Sequence, residues 1–159
     1  MSPRGRAAGL AATRVHVAWS PDVTQFAFVG SPPPWDDPSS TTVCIADARG
    51  GDIVRTVDRW GFRVEWSRRD KFAVDWGGDP DTGISVVGAF TGHEEWSGGW
   101  AVGGPLDPAW SPDGSVLAHT GFENGHKNWP TSITAIDLFA RDAEPWIIAE
   151  DGESPAWRP

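Results

Sequence analysis

Tyrosine is absent from this chain, and cysteine and methionine each occur once in its 159 residues. The single cysteine, Cys44, excludes an internal disulfide and leaves the redox compartment undecided. It alternates within an apolar stretch, which predicts a buried thiol rather than a nucleophile. Basic residues are scarce: 13 Lys and Arg stand against 22 Asp and Glu, for a formal charge of -9. That balance argues against nucleic acid and membrane partners, because both reward a basic patch. No apolar run approaches the ~20 residues of a membrane span. The N-terminus carries Arg4 and Arg6 but only the mildly apolar Ala7-Ala-Gly-Leu-Ala-Ala12. This is too short for a convincing signal peptide, and residues 1–13 read as a flexible leader. The expected location is cytoplasmic by default, with the periplasm or cell exterior left open if the true start lies upstream.

Aromatic mass is concentrated instead in 11 tryptophans. Four of them recur in matching words: Val17-Ala-Trp-Ser-Pro-Asp22, Val64-Glu-Trp-Ser67, Pro108-Ala-Trp-Ser-Pro-Asp-Gly114 and Ser154-Pro-Ala-Trp157. Trp19, Trp66, Trp110 and Trp157 are thus separated by 47, 44 and 47 residues. A period of this size marks a repeat architecture. The 19 glycines and 14 prolines predict many turns and little helix.

Each period divides alike. In the first, strands are expected over residues 14–19, 25–29, 41–46 and 52–57; in the third, over 107–110, 115–119, 132–138 and 145–149. Four short strands per period select a β-propeller; a sandwich would show no such self-similarity. Ser111-Pro-Asp-Gly114 is a turn: Pro presets φ, Asp113 bonds back to the backbone, and Gly114 accepts positive φ. Asp22 repeats the role in the first copy, but Val23 replaces the glycine, and a β-branched residue is expected to resist left-handed geometry. The second copy, Ser67-Arg-Arg-Asp70, has lost the proline altogether and is the most eroded. The tryptophan before each turn is expected to end an innermost strand and pack between blades.

Taken together, Trp-Ser-Pro-Asp-Gly, an apolar strand and a strand ending in Asp resemble the TolB-type, WD-like propeller repeat. The pieces are Ala109-Trp-Ser-Pro-Asp-Gly-Ser-Val-Leu-Ala118 with Ile133-Thr-Ala-Ile-Asp-Leu138, Val43-Cys-Ile-Ala-Asp47 and the weaker Ile84-Ser-Val-Val-Gly88. Gly92-His93 is the one Gly-His pair near a blade start, and no third strand ends in Trp-Asp, so the TolB-like branch fits better than true WD repeats. The fold expected is all-β: three four-stranded blades, about 14–61, 62–105 and 106–152, with 153–159 starting a fourth. The resemblance implies a ring of six or more blades. Two chains could pair into six, but the surplus fourth inner strand would have no vacancy there, and truncation or a split from a longer propeller explains it more simply.

Chemical motifs are few. Asp79-Pro-Asp-Thr-Gly83 starts like a calcium loop, but Phe90 stands where its last ligand belongs. His93-Glu-Glu95 lacks the second histidine of a zincin, and His119 and His126 share no strand register. No catalytic residue, metal site or cofactor is expected. Two enlarged loops, Gly30-Ser-Pro-Pro-Pro-Trp-Asp-Asp-Pro-Ser39 and Gly121-Phe-Glu-Asn-Gly-His-Lys-Asn-Trp-Pro130, should open on one rim together with the link that carries Trp60. Trp35, Asp36, Asp37, Trp60, His126 and Trp129 are therefore the expected binding rim, since loop tryptophans beside charge suit recognition. The function expected is a non-enzymatic scaffold for a protein or peptide partner, with self-association to complete a ring as a further expectation. The alternatives are the propeller portion of an enzyme, such as a prolyl-oligopeptidase-type hydrolase or a propeller lyase, or a remnant without independent function.

Overall fold

The computed structural model of the chain describes residues 16–30, 42–59, 61–77, 82–101, 106–122 and 131–158. The leader, residues 1–13, lies outside them. Each tryptophan-centred period builds one up-and-down sheet. The first contains β1 (Val17–Trp19), β2 (Gln25–Gly30), β3 (Thr42–Asp47) and β4 (Ile53–Val57). The second contains β5 (Arg63–Trp66), β6 (Lys71–Gly77), β7 (Thr82–Gly88) and β8 (Glu94–Ala101). The third contains β9 (Ala109–Trp110), β10 (Val116–Phe122), β11 (Thr131–Asp137) and β12 (Trp146–Glu150). All pairs are antiparallel between sequence neighbours. No helix long and apolar enough to cross a membrane occurs among the described residues. The chain is an all-β propeller segment of three blades that do not close into a ring, with residues 154–157 lying where a fourth inner strand belongs.

The middle strands are buried on both faces. Val43, Cys44, Ile45 and Ala46 of β3 are all enclosed, as a short unbroken apolar run predicts. Burial pushes the Cys44 thiol up to about 11, so it behaves as a small core side chain. One apolar layer joins Ala18, Val43 and Ile45 of the first blade to Val64, Trp66, Phe72 and Val74 of the second. Another joins Ala73, Ile84 and Val86 to Leu106, Leu117 and Ile136 of the third. Burial at roughly 25 cal/mol per Å² makes these layers the main stabilising term. Between third and fourth strands every sheet carries a register shift, which sharpens its twist.

The turn chemistry is reproduced in each blade by a serine. Ser20 Oγ accepts from Gln25 N at 2.9 Å and donates to Asp22 Oδ1 at 2.7 Å, while Asp22 accepts from Thr24 N at 3.1 Å. Ser111, Asp113, Ser115 and Val116 repeat this pattern with 2.6, 3.1 and 2.9 Å. In the copy without proline, Ser67 Oγ still accepts from Arg69 N and Lys71 N, both at 3.1 Å. Val23 departs from expectation: its φ is 54°, beside 54° at Asp70 and 72° at Gly114. The ring of hydrogen bonds about Ser20, closed by Val23 N to Ser20 O at 2.9 Å, imposes the left-handed geometry on a residue that disfavours it.

Candidate functional site

The innermost strands bring one repeat position to a common line. Counting three residues back from each tryptophan gives His16, Arg63, Asp107 and Ser154. Arg63 Nη1 pairs with Asp107 Oδ1, and Ser154 Oγ donates to Asp107 Oδ2 at 2.7 Å. His16 reaches the same strand of the second blade by another route, with Nδ1 3.2 Å from Val64 O and Nε2 3.2 Å from Glu65 Oε1. Asp107 and Ser154 both take positive φ, 43° and 51°, so the two copies are conformationally equivalent. These residues and the indoles of Trp66, Trp110 and Trp157 line an open groove of about 500 Å³.

Behind the groove sits Asp75, opposite Arg63 across the β5–β6 ladder and only 6% exposed. Burial raises its carboxyl to about 6, against the pull of Arg63; Asp107 adds a further upward push, and backbone N–H groups of Leu106 and Arg63 oppose it. Its Oδ1 is buried without a hydrogen-bond partner. Glu65 is likewise raised by burial and lowered by His16 and Arg63. The groove therefore offers donors, acceptors and charges of both signs between aromatic walls, and the raised carboxyl of Asp75 is buried behind it. Ser154 Oγ is committed to Asp107 and His16 to the second blade, so the two form no serine–histidine pair.

The repeat tryptophans are not equivalent. Trp110 Nε1 donates to Glu65 O at 3.2 Å and Trp157 Nε1 to Ala109 O at 3.1 Å. In both cases the acceptor is the residue just before the tryptophan of the preceding blade. Trp66 is 9% exposed and packs between the first two blades, but its Nε1 is buried without a partner. Trp19 departs from the expected packing role: it is 54% exposed, because no described blade precedes its own. Asp22, Asp113 and Gly114 lie in the turns, and Asp113 faces Arg69 of the second blade, whose Nε donates to Asp113 O at 3.0 Å. Hydrogen bonds from Ser111 and Ser115 hold the Asp113 carboxyl down at about 2, and Ser20 and Thr24 lower Asp22.

The expected rim, Trp35, Asp36, Asp37, Trp60, His126 and Trp129, lies entirely outside the described residues, as do 79–81 of the calcium-like loop. Of the remaining motif residues, His93 is exposed and Glu94 accepts from Ser85 Oγ at 2.7 Å. His119 is buried, its Nδ1 3.0 Å from Thr120 O, and burial lowers its pKa. The axial line was missed in the sequence, although its signal was present. The spacing that finds the tryptophans also finds a fixed polar offset, and all four copies hold a polar side chain there.

No protein-family model matches the chain, and no curated protein does. Solved structures do. TolB from Acinetobacter baumannii is similar at 15% identity and a TM-score of 0.61, over 95% of this chain and 36% of that one. Hydrazine synthase of Kuenenia stuttgartiensis is similar at 14% and 0.59, over 84% and 41%, and a eukaryotic initiation factor at 15% and 0.58, over 89% and 35%. The chain thus spans well under half the length of each. At these identities the likeness is one of fold. In fold, this chain is a run of TolB-like, WD-like β-propeller repeats.

Proposed function

We propose that the chain is a non-enzymatic interaction scaffold that holds a peptide segment of a protein partner along its axial groove. The observation that carries this reading is the groove itself. Its tryptophan walls, Trp110 and Trp157, and its row of Arg63, Asp107 and Ser154 offer apolar area and hydrogen bonds together, the composition of a recognition surface. The net charge of -9 would steer a basic peptide toward it and repel nucleic acid and anionic lipid. The rim residues Trp35, Asp36, Asp37, Trp60, His126 and Trp129 belong to the same proposal.

Peptides selected from a random display library on the immobilised 159-residue chain provide the test. Selected sequences are expected to be basic and to bind more weakly as salt rises. Trp35→Ala, Trp129→Ala and Asp107→Ser should each weaken binding by about tenfold or more, a loss of ~1.4 kcal/mol. The melting temperatures of the two loop variants should stay near that of the parent. Binding indifferent to all three substitutions would sink the reading, as would turnover of a model ester or peptide that is lost with the groove residues.

A further inference from the structure

Two surfaces of this segment are the unmatched halves of a junction that the chain makes elsewhere with itself. In the second blade, Trp66 packs on Phe72 with ring centroids 4.7 Å apart, and the first blade buries the pair, leaving Phe72 0% exposed. The first blade carries the same pair. Trp19 lies 5.6 Å from Phe26, and Phe26 lies 6.0 Å from Phe28, beside Cys44, Ala46 and Ile53. Here no described residue covers the indole.

On the opposite side of the segment, the third blade presents Ala118, Ile133 and Ala135, and β12 is exposed along its whole length. What lies over this side is the stretch leading to Trp157. A Cβ at Gly152 would stand 2.9 Å from Ile133 Cγ1, Ser154 N donates to Thr120 Oγ1 at 3.1 Å, and Trp157 sits on the Ala109 carbonyl. Residues 154–157 therefore occupy the seat that the tryptophan of a following blade would take, and among the described residues no sheet accompanies them.

We propose that this seat is the docking site for the first blade of a second copy of the chain, with the partner copy's Trp19 taking the Ala109 carbonyl that Trp157 holds in the single chain. The donor and its acceptor are both present in each copy, yet they face away from each other on either side of the second blade. Two copies satisfy both at once, and two such contacts related by a two-fold axis close a six-bladed ring, within the usual range of blade numbers. Residues 154–157 then act as an internal competitor that must leave for the ring to close, and the partner copy's His16 and Trp19 take the places of Ser154 and Trp157 in the groove. This removes the difficulty of a surplus inner strand, because the strand is displaced rather than accommodated.

The test is sedimentation velocity of the 159-residue chain over a wide range of concentration, with two substitutions expected to act in opposite directions. Trp157→Ala frees the seat and should shift dimer formation to about tenfold lower concentration or below. Trp19→Ala removes the incoming indole and should shift it about tenfold higher. Trp19→Phe, which keeps a ring but removes the N–H, serves if the alanine variant fails to fold; it should weaken association severalfold. A Trp157→Ala chain that stays monomeric or associates more weakly than the parent overturns the proposal. So does association that ignores Trp19, or an open-ended ladder of oligomers in place of a dimer.

Discussion

At the scale of single residues, the turn after each inner strand shows how a hydrogen-bonded frame overrules a side chain's own preference. Val23 holds φ 54° where the third blade has Gly114 at 72°. Left-handed geometry costs a residue with a Cβ roughly 1–2 kcal/mol, and glycine returns part of that as unfolded-state entropy. Val23→Gly is expected to stabilise the chain by about 0.5–1 kcal/mol, read from urea denaturation midpoints. The reverse change, Gly114→Val, should cost more, because its Cβ would stand 3.1 Å from the backbone nitrogens of Arg68 and Arg69. The turn itself was legible from Ser, Pro and Asp. Its survival at Val23 was not, since the frame depends on Gln25 N reaching Ser20 Oγ across the hairpin.

Asp75 sets a second residue-scale expectation, on pH. Its carboxyl titrates near 6 in the folded chain and near 3.8 when free, so the folded state holds the proton more tightly. Stability should therefore fall as pH rises from about 4 to about 6 and stay level above that, as far as this group decides. Asp113 works the other way: held near 2, it contributes above its free value of 3.8 and loses that contribution as pH falls toward 2. Melting curves of Asp75→Asn across this range should lose the decline between pH 4 and 6 and keep the acid limb. A decline that persists unchanged in the variant would remove Asp75 as its source. Nothing in the sequence marked Asp75 as shifted, because Leu106 and Asp107, which act on its carboxyl, come from the next repeat.

At the scale of elements, repetition of a word does not make its copies energetically equal. Trp66 and Trp19 share a Val two residues before and a Ser one after, but one is enclosed between sheets and the other is half open. Trp66→Ala should cost about 3–5 kcal/mol as a truncated core aromatic, whereas Trp19→Ala should cost about 1 kcal/mol at most in the monomer. Denaturant midpoints measured on dilute protein separate the two, and equal losses would show that both inner strands are equally enclosed. The positions of these elements were readable from spacing alone: the expected strand over 25–29 is observed as Gln25–Gly30, and that over 145–149 as Trp146–Glu150. Which copy is covered depends on the presence of a neighbouring sheet, and no local pattern encodes that. The axial row of Arg63, Asp107 and Ser154 lies between these cases, since its offset is in the sequence but its convergence requires the blades to be stacked.

At the scale of the whole molecule, the most eroded repeat is the best enclosed. The second blade has lost its Pro and Gly, but it alone shares an apolar layer with another described blade on each side, where Phe72, Val74 and Val86 are fully buried. Stability in a stacked array is a sum of each unit's own terms and those of its junctions, so two junctions outweigh a weakened turn. Amide hydrogen exchange should then be slowest in β6 and β7 and fastest in β12, whose five residues are all exposed. Slower exchange in the third blade, which keeps the full Ser-Pro-Asp-Gly turn, would show that turn quality dominates instead.

The direction of the indole hydrogen bonds has a bearing on how the chain is made. Trp110 and Trp157 each find their acceptor 45 and 48 residues earlier, never later. During synthesis the strand bearing the carbonyl has therefore already left the ribosome when its tryptophan emerges. At about 5–20 residues per second, each new repeat arrives over several seconds, longer than the milliseconds to seconds in which small β units typically fold. Each described blade after the first meets a finished template at birth, and the nascent chain grows by annealing onto its own past.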